Sequence, residues 1–185
     1  SSDLNEEAKK QLAELAEKLE AAQKEYSEAV AVQTAFQKSI NDATEEWSAA
    51  LDVKNKAFDQ QNRYVKWGLA MEKYLNQTND VYYVSDMGHA PKDKPEAWKA
   101  YFNAANVTDE AEKEAFVEYG HRLYAILKEA NNGADIAISA SAYKAQNDKA
   151  FTNGVNALNT EENETFEKAA EAVIASEGAI ASISK

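Results

Sequence analysis

The sequence predicts an all-α fold: an elongated antiparallel helical bundle with a long coiled-coil-like N-terminal helix and an aromatic-rich tip. Three observations carry this. The 185 residues include only two prolines, Pro91 and Pro95, both in one stretch. Residues 3–79 contain no proline and one glycine, so nothing compels a break there. Within them a seam alternates steps of three and four, beginning Leu12, Leu15, Leu19, Ala22, Tyr26 and ending Gly68, Met71, Leu75. Of its 19 positions all but Gln33, Lys54, Gln61 and Gly68 are apolar. That 3.5-residue period favours left-handed supercoiling against a partner helix.

In order along the chain, 3–79 is expected as one long helix, with a bend near 48–56 left open. Its apolar stripe widens after Trp47, where Leu51, Phe58, Val65 and Leu69 join it. A narrow seam suits one partner and a wide face suits a bundle core. The stretch DVYYVSDMGHAPKDK, 80–94, carries Gly88, Pro91 and several turn formers and reads as a loop, with VYYV at 81–84 as the one trace of strand alternation. Pro95 opens a short helix, and with the loop it forms a cap over 80–107. Thr108 is expected to cap the next helix, whose first turn is acidic as the helix dipole prefers. Asn131-Asn132-Gly133 stops it. Helices over 134–158 and 160–183 follow, with Thr160, Glu161 and Glu162 read as a fresh N-terminus. The alternative is one continuous helix over 134–183. The whole, 1–185, reads as a single all-helical domain, with 108–185 as return helices.

Composition narrows function. The net charge is −12, the isoelectric point about 4.7 and the mean hydropathy −0.63. No basic patch exists to neutralise phosphates, so no nucleic-acid partner is expected. An anionic bilayer surface would repel the chain, and no window is apolar enough to insert in a membrane. The absence of cysteine excludes disulfides, thiolate metal sites and a cysteine nucleophile. Glu118-Tyr119-Gly120-His121 is a single E-x-x-H, where a carboxylate-bridged di-metal bundle needs two. DMGHAPKDKPEA lacks the alternating oxygen ligands of a calcium loop. No metal, cofactor or catalytic residue is assigned, and no enzyme activity is expected.

The density of large side chains is what stands out. Twelve of the 18 aromatic residues fall within 58–124, together with both Arg, both His, both Met and both Pro. Gly68 and Gly120 sit inside predicted helices, where each costs about 1 kcal/mol relative to Ala, which points to the close approach of another group. A bundle can fill its core with such residues. Tyr, Trp, Met and Arg are also what interface hot spots favour. Arg63 and Arg122 are the candidates for holding a carboxylate, because guanidinium offers a rigid fork of donors. Each can instead satisfy a neighbour such as Glu72 or Glu118. Trp67, Tyr82, Tyr83 and Trp98 are the candidates for stacking or apolar anchoring.

The stretch LEAAQKEYSEAVA is similar to the Ala/Glu/Lys helices of bacterial surface proteins, over about a quarter of the chain, and implies no site residues. The layout also looks like the extracytoplasmic helical sensor domains of chemoreceptors and sensor kinases, which would imply a small anionic ligand held by arginine. The expected function is therefore a non-enzymatic, extracytoplasmic binding domain, periplasmic, secreted or on the cell surface. It would present an aromatic tip to a protein or glycan partner, with an anion-sensing bundle as the alternative. If residues 3–50 lack partners within the chain, a second copy can supply them and give a homodimer; one continuous helix over 134–183 would instead run back along them and leave the protein monomeric.

Overall fold

A computed structural model describes residues 2–77 and 82–184. Among them are five α-helices and a 3-10 turn, with no strand: α1 Ser2–Asn76, the 3-10 turn Val84–Gly88, α2 Pro95–Ala105, α3 Glu110–Ala130, α4 Ala140–Gln146 and α5 Ala150–Ser184. The all-helical expectation holds, and α1 is continuous through 48–56. The expected last residues of its helix, Thr78 and Asn79, lie outside the described residues, as does Val81 of VYYV.

The chain forms two compact units. One gathers α1 up to Leu51 with α5 from Ala172 on. There Ala43 and Val173 are buried, and the Trp47 indole N–H donates to Glu177 Oε1 at 3.3 Å. The α1 seam is half-buried at Ile40, Trp47 and Ala50, yet every residue from Asp3 to Ser39 is exposed.

The other unit, Asp52–Glu171, contains the large core. In it α1 and α5 run antiparallel: Phe58 meets Phe166 at 5.8 Å between ring centroids, Gln60 Nε2 donates to Glu162 Oε2 at 2.9 Å, and Gly68 lies against Val155. Trp67, Met71, Trp98, Phe116, Tyr119 and Leu123 are almost wholly buried. Pro95 occupies the first turn of α2, as its missing N–H allows.

Several boundaries differ from the sequence expectation, each for a physical reason. Asp109, not Thr108, caps α3: its carboxylate accepts from the Glu112 N–H at 3.2 Å. The Asn131–Gly133 stop stands, with Asn132 and Gly133 both at positive φ. The expected helix over 134–158 does not form. Residues 134–139 are non-helical because Ile138 pairs elsewhere, its carbonyl accepting from the Val84 N–H at 3.0 Å beside a single bridge between Tyr83 and Ser139. Ser139 then caps α4, accepting from the Ala142 N–H at 3.3 Å. The break expected at 159 is also absent. Thr160 is mid-helix in α5, its hydroxyl donating to the Asn156 carbonyl at 2.9 Å, so it is not free to cap. The 80–94 loop, where described, contains the 3-10 turn at 84–88.

Candidate functional site

The aromatic residues of the larger unit form one layered cluster. Trp67 packs edge-on against Phe116 at 5.3 Å, Phe116 against Trp98 at 6.1 Å, and Trp98 against Tyr101 at 5.3 Å. Tyr64 closes the other side, 4.7 Å from Tyr119. These are the edge-to-face geometries that ring quadrupoles prefer. The two helix-interior glycines make the packing possible. A Cβ built at Gly120 would fall 2.6 Å from Cη2 of Trp98, and one at Gly68 would fall 2.4 Å from Cγ1 of Val155 and 3.1 Å from the Tyr119 hydroxyl. Close approach, inferred from the sequence, is what both positions provide. The Trp67 indole N–H and the Tyr119 hydroxyl are buried without a hydrogen-bond partner among the described residues.

The six residues singled out from sequence fall into three environments. Trp67 and Trp98 are core, 0% and 1% exposed. The Trp98 indole N–H donates to the His89 carbonyl at 2.7 Å, and His121 Nε2 meets the same oxygen at 3.0 Å, so α2 and α3 together hold the loop. Tyr82 is half-buried against Tyr101, whereas Tyr83 is 52% exposed. The Tyr83 backbone is fixed: its N–H donates to Asp86 Oδ2 at 2.9 Å, and its carbonyl accepts from the Tyr101 hydroxyl at 3.2 Å.

The two arginines do not come together as a pair. Arg63 is exposed and makes no hydrogen bond or ion pair among the described residues. Arg122 is engaged within the fold. Its Nη1 donates to the Tyr64 hydroxyl at 2.7 Å and to Glu162 Oε1 at 3.1 Å, and its Nη2 pairs with Glu161. The guanidinium also lies over the Tyr64 ring, 5.5 Å from its centroid. Burial opposes the charge on Arg122. Its bonds to Glu162 and Tyr64, with the charge of Glu161, outweigh that and raise its pKa above the ordinary value. An incoming carboxylate would have to displace Glu161 or Glu162 to use this fork. Among the described residues, no three His, Asp or Glu converge as metal ligands.

The sequence reading missed a surface groove beside the cluster. Two open hollows of about 410 and 450 Å³ adjoin at Pro91, Phe102 and Lys113. The larger is walled by α2 and the start of α3, with apolar surface from Pro91, Pro95 and Phe102 over the buried Trp98 and Val107. Its only charged lining residues are Lys99 and Lys113, in a chain of net charge −12. Lys113 Nζ sits 5.4 Å from the Phe102 centroid and 3.4 Å from Glu110 Oε1. Phe102 packs against the core from a half-buried position, so part of its ring faces solvent. The sequence signal was the spacing of Trp98 and Phe102 on α2, one turn apart, with Lys99 between them.

No known protein family, curated protein or solved structure matches the chain.

Proposed function

We propose that the protein is a non-enzymatic binding domain whose Pro91–Phe102–Lys113 groove takes an extended segment of a protein partner, an apolar side chain flanked by a carboxylate. The observation that carries this reading is the lining of the groove. Apolar surface of Pro91, Pro95 and Phe102 lies beside Lys99 and Lys113 in its larger hollow, and the acidic lining residues of the groove, Glu110 and Glu114, belong to the smaller one. An apolar pocket with a few placed polar groups is the usual form of a recognition site. The buried cluster beneath supports the groove from behind, which limits the ordering cost of binding. A protein partner is favoured over a glycan because Trp67 and Trp98 are covered and offer no open ring face to a sugar. An extracytoplasmic setting belongs to the same proposal and rests on the similarity of residues 19–31 to helices of bacterial surface proteins.

Selection from a displayed random-peptide library tests it. The enriched peptides should carry a bulky apolar residue next to Asp or Glu. Lys99→Glu and Lys113→Glu should each weaken them at least about tenfold, a loss of 1.4 kcal/mol, with an unchanged melting temperature for Lys99→Glu, whose side chain is exposed. A library without enrichment, or peptides indifferent to both reversals, would overturn the assignment of this groove.

A further inference from the structure

We infer that the N-terminal half of α1 is an interface between two copies of this chain, an antiparallel coiled coil in which Lys18 of each copy faces Glu25 of the other. The starting point is exposure. Leu12, Leu15 and Leu19 are 60–67% exposed and Tyr26 is 73% exposed, all on the seam that α5 begins to cover only at Ile40. The stripe is one continuous 3.5-residue pattern across that point, so the bare part is the same kind of surface as the covered part. A helix with every residue from 3 to 39 in water depends on propensity alone, and most helical stability in proteins comes from packing an apolar face.

The occupant follows from the pattern. With Leu12, Leu19, Tyr26 and Gln33 at a positions, Leu15, Ala22, Ala29 and Phe36 fall at d. The g positions include Lys18 and Glu25. An antiparallel pair sets a against d and g against g. One register places Leu12 against Ala29, Leu19 against Ala22, and Leu15 against Tyr26 of the second copy. Two of these three layers match a large residue with a small one. The same register sets Lys18 against Glu25 twice, once on each side of the twofold axis. A shift of one heptad either way brings Lys18 against Lys18 or Glu25 against Glu25, which repel. In-register parallel pairing leaves both charges facing uncharged e positions, Gln23 and Val30.

The selected register also overlaps the bare stretch end to end, residue 3 of one copy lying against residue 38 of the other. At 1.5 Å per residue the contact runs about 55 Å. Five heptads contribute about 20 a, d, e and g residues a side, the complement of an interface burying about 800 Å² per partner.

Because the chain has no cysteine, the register can be read directly. Leu12→Cys mixed with Ala29→Cys should form a mixed disulfide on mild oxidation, while neither variant cross-links to itself. In the antiparallel register the two copies of either position lie far beyond the 7 Å limit for bridging Cα atoms. Light scattering on the unmodified protein should give twice the 20.4 kDa of one chain. Lys18→Glu and Glu25→Lys should each weaken association about tenfold, since two surface pairs turn repulsive, and the double exchange should restore it. A monomer at millimolar concentration, self-linking of either cysteine variant, or a double exchange that fails to rescue would overturn the inference.

Discussion

The indole of Trp98 occupies the space that a side chain at residue 120 would need. A Cβ on Gly120 would lie 2.6 Å from its Cη2 and 3.4 Å from its Cζ3. The ring cannot step aside easily. It is 1% exposed, packed between Tyr101 and Phe116, and tethered by its N–H to the His89 carbonyl at 2.7 Å. This contact joins α2 to α3 and, through His89, both helices to the loop that borders the groove.

Gly120→Ala should therefore destabilise the protein despite a better helix former at that position. The propensity gain is about 1 kcal/mol and the overpacking cost about 1–3 kcal/mol, so the net loss is expected at about 1 kcal/mol. Gly178→Ala is the comparison, because a Cβ there meets nothing within 4 Å. It should stabilise by about 0.5–1 kcal/mol. Urea denaturation of the two variants measures both signs. A stabilised Gly120→Ala would mean that Trp98 is loosely held.

The Arg122 network predicts unequal roles for two adjacent glutamates. Glu162 is 4% exposed and is held by Arg122 and Gln60, whereas the Glu161 side chain is 57% exposed. Arg122→Ala strands the buried Glu162 carboxylate, and the expected loss is about 3 kcal/mol. Glu161→Gln removes a solvent-screened pair and should cost about 0.2–1 kcal/mol. A double-mutant cycle should show strong coupling of Arg122 to Glu162 and weak coupling to Glu161. Equal couplings would show that the network is a surface one.

The same network marks what local sequence could convey. The long helix was legible because its seam repeats every 3.5 residues from Leu12 to Leu75 and nothing in the chain interrupts it. The Asn131–Gly133 stop was legible because it is local chemistry. Thr160-Glu161-Glu162 has the local form of an N-cap, yet Glu161 and Glu162 serve Arg122, some forty residues earlier. Sequence proximity suggested Glu72 and Glu118 as arginine partners, and the tertiary fold supplied others. Residues 134–139 escaped for a similar reason: the bond from Val84 N–H to the Ile138 carbonyl spans over fifty positions. The aromatic density was visible, but Trp67 and Tyr83 cannot be sorted into buried and exposed until it is known which helix covers which face.

Four buried tyrosines predict alkaline lability. Burial raises the pKa of Tyr64, Tyr101, Tyr119 and Tyr143, because ionisation would place a phenolate among apolar groups. For Tyr64 the nearby Arg122 charge offsets part of that rise. For Tyr101 the charge of Asp86 adds to it. Among the described residues the Tyr119 hydroxyl has no hydrogen-bond partner, and burial is the main cause of its rise. A phenol whose pKa is higher folded than unfolded favours the folded state fully below its unfolded value, about 10. Above that pH the unfolded chain releases the proton and the folded chain does not. Each such phenol then removes about 1.4 kcal/mol of stability per pH unit until its folded pKa is reached. The melting temperature should be insensitive to pH just below 10 on this account and fall steeply above it. The phenolate absorbance of these four residues should rise together with the loss of helical circular dichroism, not before it. If all the tyrosines titrate smoothly near pH 10 while helicity persists, the phenols are open to solvent and the packing described for the cluster is wrong.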